Sequence, residues 1–339
     1  MILKIIAAVL VFCLLIISHE FGHFIAAKSC GVYVEDFSLG MGPKLLQIKG
    51  KETTYTLRPF PIGGWCKMRG EDEDSADPRA FNNKKVWQRM IIIAAGPLMN
   101  FICAFVIFVI IYASLGVVSE GNTIGGTTEG FPAYQVLEEG DQIVEIDGMT
   151  VDDWNDLSVA VNRQDAGDTL NIRVIRDGHP LEFSVGRVYN EEYGVWQIGV
   201  LTGREYPNIF QSIRMGCVQS VQFIVELIRV LFQAVTGQVK ADVAGPVGIV
   251  SLIGDTTEQG MAYLLVLVAY LSINLGIINL LPLPALDGCR LVFLAVEAIR
   301  RKPLPREKEG MVHFIGLVLL LGLMLVITYS DIVRLVTGG

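Results

Sequence analysis

Four apolar stretches, roughly residues 1 to 27, 88 to 116, 261 to 281 and 312 to 334, constrain this chain more than any other feature. Each is long enough, at 1.5 Å per helical residue, to cross about 30 Å of hydrocarbon. Lipid offers no partner to a backbone N–H or C=O, so such stretches are predicted to be helices. Of the 339 residues 52% are hydrophobic and 18% charged, which fits a chain largely buried in lipid. The first stretch is read as a retained span and not a signal peptide, because its only early basic residue is Lys4 and no A-x-A site closes it.

Basic residues set the expected orientation. Residues 28 to 89 hold eleven Lys and Arg and residues 290 to 308 hold six, whereas 117 to 260, more than twice as long as the first, hold eight. The positive-inside rule then puts the first two segments in the cytoplasm and the long one outside, with both termini outside if four spans cross. A net charge of −8 without a clustered basic face excludes a nucleic-acid partner. The six cysteines include no C-x-x-C pair, and at least two lie in apolar runs, so they read as buried thiols and not as a disulfide or metal framework.

Between the first two spans, Leu45 to Ile48 and Thr53 to Leu57 are β-prone runs separated by the turn Lys49-Gly50-Lys51. The apolar, Gly-rich segment Pro59 to Trp65 follows, and it can enter a membrane only where protein or water satisfies its backbone. Residues 118 to 205 are polar and carry strand signals at Gln142 to Ile146 and Leu170 to Ile175, Asp-Gly turns, and a helix near Trp154 to Val161. That order resembles a PDZ domain, a fold that takes extended peptides onto a sheet edge. Gly130-Phe131-Pro132-Ala133 matches the usual Gly-x-Pro-Ala loop loosely. Residues 208 to 240 space apolar side chains helically among Gln, Ser and Arg, and are read as an interfacial helix.

The chemistry concentrates at the end of the first span, in His19-Glu20-Phe21-Gly22-His23. On a helix His19 and His23 share a face and can hold one zinc, while Glu20 can reach a water bound beside it. Zinc lowers the pKa of that water to about 7 and a carboxylate takes its proton, which together hydrolyse peptides. Two histidines and a glutamate inside an apolar run also cost free energy that usually reflects function. A catalytic zinc needs a third protein ligand, and the best candidate is Asp287, where Pro282 and Pro284 interrupt the third span; a helix-capping carboxylate is the structural alternative. His313, at the start of the fourth span, is a weaker candidate ligand, and His179 a surface turn residue. Asn100 either lines the active-site cavity or packs between helices beside Gly96.

The His-Glu-x-x-His of the first span, the Asn279-x-x-Pro282-x-Pro284-x-Leu286-Asp287-Gly288 of the third and an inserted PDZ-like region together resemble the site-2 protease family of intramembrane zinc metalloproteases. The segments 61 to 71, 95 to 101 and 245 to 249 resemble its bacterial RseP/RasP-like branch. The resemblance implies zinc ligation by His19, His23 and Asp287, Glu20 as general base, and Asn279 hydrogen-bonding the substrate backbone or oxyanion. It also implies that residues 45 to 71 form a membrane-reentrant β-loop, so that Gly63, Gly64 and Pro282 join Asn279 in contacting an unwound substrate. The chain departs from larger family members in having room for one PDZ, and in Trp65-Cys66 where Tyr-Val is more usual.

The expected fold is thus a polytopic α-helical membrane protein of about four transmembrane helices, with a membrane-associated β-hairpin loop and one inserted PDZ-like α+β domain. Its expected divisions are 1 to 117, 118 to 205 (PDZ-like, extracytoplasmic), 206 to 260 (interfacial helix and linker) and 261 to 339. The resemblance implies a bacterial inner- or plasma-membrane enzyme whose active site faces the cytoplasm. Its implied clients are single-span membrane proteins, such as anti-sigma factors and signal-peptide remnants. The competing readings are a non-catalytic zinc-binding scaffold that presents the PDZ domain, in which Glu20 would be dispensable, and a metal transporter, which the lack of an acidic path on the second and fourth spans disfavours.

Overall fold

The computed structural model describes residues 2–71, 73–119, 121–191, 193–238 and 244–337. Its contacts divide the chain into two units, Met1–Ile111 with Ser212–Gly339, and Tyr112–Gln211.

Uninterrupted apolar sequence gives one long first helix, α1 (Ile2–Ser29), which buries Ala7, Ala8, Val11, Leu15, Gly22 and His23 along one side. It stops at Gly31, whose φ of +69° is the left-handed conformation that glycine adopts without strain. The Gly31 N–H bonds to Lys28 O and the Val32 N–H to Ala27 O, which satisfies two terminal carbonyls. The chain then forms a four-stranded sheet of β1 (Val34–Met41), β2 (Leu46–Lys49), β3 (Thr54–Leu57) and β4 (Phe60–Met68), in the order β2-β3-β1-β4. β2 and β3 pair antiparallel, as the Lys49-Gly50-Lys51 turn predicts. β1, which the sequence reading left unassigned, lies parallel to β3 and antiparallel to β4. The Pro- and Gly-rich segment is therefore the terminal strand of a sheet, with Leu39 opposite Gly64 and Ser38 opposite Trp65. Val34, Cys66 and Met68 bury their side chains with Ala26 and Ala27 of α1.

Helix α2 (Val86–Leu115) carries Pro97 inside it. The second unit follows in sequence. Its sheet pairs Gln142–Ile146 with both Met149–Thr150 and Thr169–Arg176, and the last of these with His179–Gly186, all antiparallel. Asp147 and Gly148 have φ of +46° and +78°, Asp177 and Gly178 +52° and +80°. Two successive positive φ values match the twist of a tight hairpin, which is why Asp-Gly occupies both turns. Helix α3 (Trp154–Val161) is capped by Asp153, which accepts the Asp156 N–H, and packs Leu157, Ala160 and Val161 onto the sheet's apolar face.

Helices α4 (Ile209–Val235), α5 (Pro246–Gln259), α6 (Met261–Leu280), α7 (Asp287–Arg300) and α8 (Arg306–Thr337) complete the first unit. Among the described residues five helices, α1, α2, α4, α6 and α8, are long and apolar enough to cross a membrane, against the four expected from sequence. The addition is α4, whose mean hydropathy is 1.5 against 2.2 to 2.6 for the others. Gln211, Arg214, Gln219, Gln222, Glu226 and Arg229 lower it, and they made the segment read as interfacial. Yet α4 packs on two apolar neighbours: the Phe223 ring lies 5.5 Å from Phe108 of α2 and 5.9 Å from Tyr270 of α6. Five crossings would put the termini on opposite sides. Part of the linker expected over 206 to 260, residues 239–243, lies outside the described residues. Beyond it α5 begins with Pro246 at its first position, and the N–H groups of Gly245 and Gly248 donate to the two oxygens of Asp331 from α8, at 3.2 and 2.8 Å.

Candidate metal centre

Imidazoles one turn apart on α1 meet a carboxylate from the start of α7. His19 Nε2 lies 3.2 Å and His23 Nε2 3.3 Å from the same oxygen, Asp287 Oδ2, and the two Nε2 atoms are 3.3 Å apart. The side chains are 13%, 9% and 16% exposed, so little water reaches them. His23 Nδ1 is 2.9 Å from Ile92 O, which can only accept. In the neutral ring the imidazole hydrogen therefore sits on Nδ1, and Nε2 turns a lone pair to the centre.

Close backbone approach makes this possible. A Cβ on Gly96 of α2 would lie 2.2 Å from His23 Nε2, and one on Gly22 of α1 would lie 2.1 Å from Ala95 O. Bare backbone at both positions lets the two helices touch. On the other side the α6 to α7 turn folds back so tightly that a Cβ on Gly288 would be 2.2 Å from Leu281 O. Ala285 in that turn has φ +70°, and its N–H donates to His313 Nδ1 at 3.0 Å. Since Nδ1 accepts, a neutral His313 carries its hydrogen on Nε2 and offers no lone pair there. His313 borders the cavity but stands outside the cluster of potential ligands.

The three residues fit a metal ion. Their ligand atoms lie within 4.8 Å of one another. Asp287 Oδ2 is buried without a hydrogen-bond partner, a costly state for a carboxylate that a cation would relieve. Two imidazoles and one carboxylate are a donor set found in catalytic zinc sites.

The cluster opens on a cavity of about 640 Å³ lined by Glu20, Gly64, Trp65, Met68 and Leu286 among others. The Glu20 carboxylate makes no hydrogen bond to any described residue. β4 runs beside it because Gly64 lacks a side chain: a Cβ there would be 3.0 Å from Glu20 Cγ. Of the residues singled out from sequence, His19, Glu20, His23, Asp287 and Gly64 come together here. Gly63 and Pro282 do not line this cavity, and neither does Asn279, half-buried on the last turn of α6. Sequence reasoning missed Arg290, one turn into α7, whose guanidinium pairs with Glu71 just beyond β4 and so joins the sheet to the helix that carries Asp287. Both border the cavity. Opposite charges, one closing the recognised segment 61 to 71 and one two residues past the Asn279 to Gly288 motif, were the available signal.

Comparison with known proteins gives the family. The family model for peptidase family M50 matches residues 7–323. The chain is 33% identical to the regulator of sigma-W protease RasP of Bacillus subtilis, over 98% of each chain, and 34% identical to the zinc metalloprotease RasP of Geobacillus kaustophilus, over 97% of each. The first alignment runs over 417 positions, more than this chain contains, so that relative carries residues without a counterpart here. A Clostridium acetobutylicum protein is 39% identical over 335 residues. Among solved structures, a PDZ domain of an SdrC-like protein from Listeria innocua is 26% identical; the match covers 25% of this chain and 96% of that one, with a TM-score of 0.23.

Proposed function

The chain belongs to peptidase family M50 as a multi-pass membrane zinc metalloprotease, and from that premise we propose that it hydrolyses peptide bonds of single-span membrane proteins at the depth of its own helices. The observation that carries this reading is the meeting of His19, His23 and Asp287 with Glu20 and a terminal β-strand in one cavity between apolar helices.

His19, His23 and Asp287 would hold the zinc at the edge of the cavity. When bound, zinc supplies Lewis acidity that activates water for attack on a peptide carbonyl. Glu20 accepts the proton of the attacking water at its carboxylate and passes it to the departing amine. The backbone of β4, the terminal strand of its sheet among the described residues, offers its outer edge to the substrate. A transmembrane helix hides its peptide bonds, so the substrate must unwind before it can be cut, and pairing with β4 satisfies the backbone groups that unwinding frees. Gly64 keeps that edge close to Glu20. Gly63, Asn279 and Pro282 are proposed to contact the incoming segment beyond the cavity wall, Asn279 through its carboxamide.

The B. subtilis relative is named for regulating sigma-W. We assign this chain a matching client class, membrane-anchored regulators of sigma factors together with signal-peptide remnants, in a bacterial inner or plasma membrane with the centre toward the cytoplasm. Residues 118 to 205, read as PDZ-like and extracytoplasmic, would screen or bind those clients.

The test compares wild type with Glu20→Gln, in liposomes with a single-span substrate, measuring zinc content and cleavage together. Stoichiometric zinc with lost cleavage in the variant is the expected result. Equal cleavage by both proteins would sink the assignment of Glu20, and zinc without cleavage in wild type would favour a scaffold.

A further inference from the structure

The helix pair α1 and α2 matches two histidines to two small or polar residues at the same spacing. His23 meets Gly96, and His19, one turn earlier on α1, meets Asn100, one turn later on α2. Asn100 is fully buried, and its carboxamide lies 3.3 Å from His19 Nδ1 through one end and 2.8 Å from Ser18 Oγ through the other. Its backbone is fixed as well, since Ser272 Oγ of α6 donates to Asn100 O at 2.8 Å.

The two ends of a carboxamide are interchangeable in shape, so partners decide which faces which. In the recorded orientation Nδ2 faces His19 Nδ1 and Oδ1 faces Ser18 Oγ. That arrangement leaves two conflicts. The single Ser18 hydroxyl hydrogen faces two acceptors, Asn100 Oδ1 and Leu15 O at 2.9 Å. His19 Nδ1 must accept, so its hydrogen moves to Nε2, the atom 3.2 Å from Asp287 Oδ2 that would bind the metal.

Turning the carboxamide by half a turn removes both. Ser18 donates to Leu15 O and accepts from Asn100 Nδ2. Asn100 Oδ1 accepts from His19 Nδ1–H, and His19 Nε2 is left with a lone pair. His23 already has this arrangement through Ile92 O. A metal-bound histidine commonly donates its other N–H to a fixed acceptor in this way.

We propose that Asn100 is a positioning residue for the zinc ligand His19, presenting its carboxamide oxygen to His19 Nδ1–H in the metal-loaded enzyme. The inference rests on the zinc centre of the proposed function, and it is read out by metal binding so that the two can fail separately. Zinc affinity is measured by chelator competition on the full chain in detergent, for wild type, Asn100→Leu and Asn100→Asp. The leucine variant removes the acceptor and is expected to bind zinc 10 to 100-fold more weakly. The aspartate variant keeps an acceptor at the same reach and is expected to stay within about threefold of wild type. A leucine variant that binds as tightly as wild type overturns the proposal, as does an equal loss in both variants, which would make Asn100 a packing residue. A wild type that binds no zinc overturns the metal centre itself.

Discussion

Gly96 of α2 and His23 of α1 stand so close that a Cβ on Gly96 would lie 2.2 Å from Nε2 and 2.5 Å from Cε1. Neither ring nor helix can yield without losing the contact of His23 Nδ1 with Ile92 O. Gly96→Ala should therefore lose zinc at least tenfold, since loss of an orienting hydrogen bond alone costs about that much. Zinc stoichiometry of the purified variant by mass spectrometry checks it, and full occupancy would show that His23 reaches the metal from another position.

Gly64 stands in the same relation to the general base. A side chain there meets Ser38 O of β1 at 2.8 Å and Glu20 Cγ and Ile16 Cγ2, both at 3.0 Å, and not the ligands. Gly64→Val is expected to keep its zinc and to lower kcat on the order of 10 to 100-fold, because displacing a reacting group by about 1 Å costs that much. Equal losses of zinc and activity would argue that β4 supports the ligands and not Glu20.

Asp331 explains the glycines of the Gly245-Pro246-Val247-Gly248 segment. Its carboxylate takes the N–H of Gly245 and of Gly248, and a Cβ on Gly245 would come within 2.7 Å of it. Asp331→Leu strands both donors in a buried place at roughly 1–3 kcal/mol each. A lowered unfolding temperature in detergent, with Asp331→Asn closer to wild type because it retains one acceptor, is the expected order of stability. An unchanged temperature for the leucine variant would contradict it.

In the second unit Asp141 is buried and grips Arg176 through both oxygens, at 2.6 and 2.7 Å, while accepting the Glu138 N–H at 2.9 Å. Burial pushes its carboxyl up, but Arg176 and the Glu138 amide prevail and hold it below the ordinary value. A carboxyl depressed in the folded state stabilises it above the unfolded value of about 3.9, and that stability is lost as pH falls through the lower folded value. Protection of residues 137 to 146 against hydrogen exchange, taken relative to the intrinsic rate at each pH, should thus fall below about pH 4 in wild type. Asp141→Asn, which leaves Arg176 only the exposed Glu138 as an ion-pair partner, should lower it already at pH 7, by an opening cost on the order of 1 to 3 kcal/mol. Indistinguishable exchange at pH 7 would show that the pair contributes little.

The sequence by itself determined the parts of this protein that follow from local pattern. Unbroken apolar runs dictate long helices, because lipid leaves the backbone no other partner. Asp-Gly pairs dictate the hairpins at 147 and 177, because only such residues take two positive φ values cheaply. The i, i+4 spacing puts His19 and His23 on one face, and the proline-broken turn marks Asp287 as their partner. Only the tertiary structure decided what surrounds them. That β1 runs parallel to β3 and turns a Pro- and Gly-rich segment into an edge strand is a pairing choice that no local period encodes. That α4, diluted by Gln and Arg, packs between Phe108 and Tyr270 depends on partners it meets only once folded. Asn100 and Asp331 act on residues 81 and 86 positions away, through contacts under 3.5 Å that exist only where helices cross. Periodicity reports which face of an element is apolar; which side chain on the facing element it meets is fixed by packing, and the chemistry of this centre lies in those meetings.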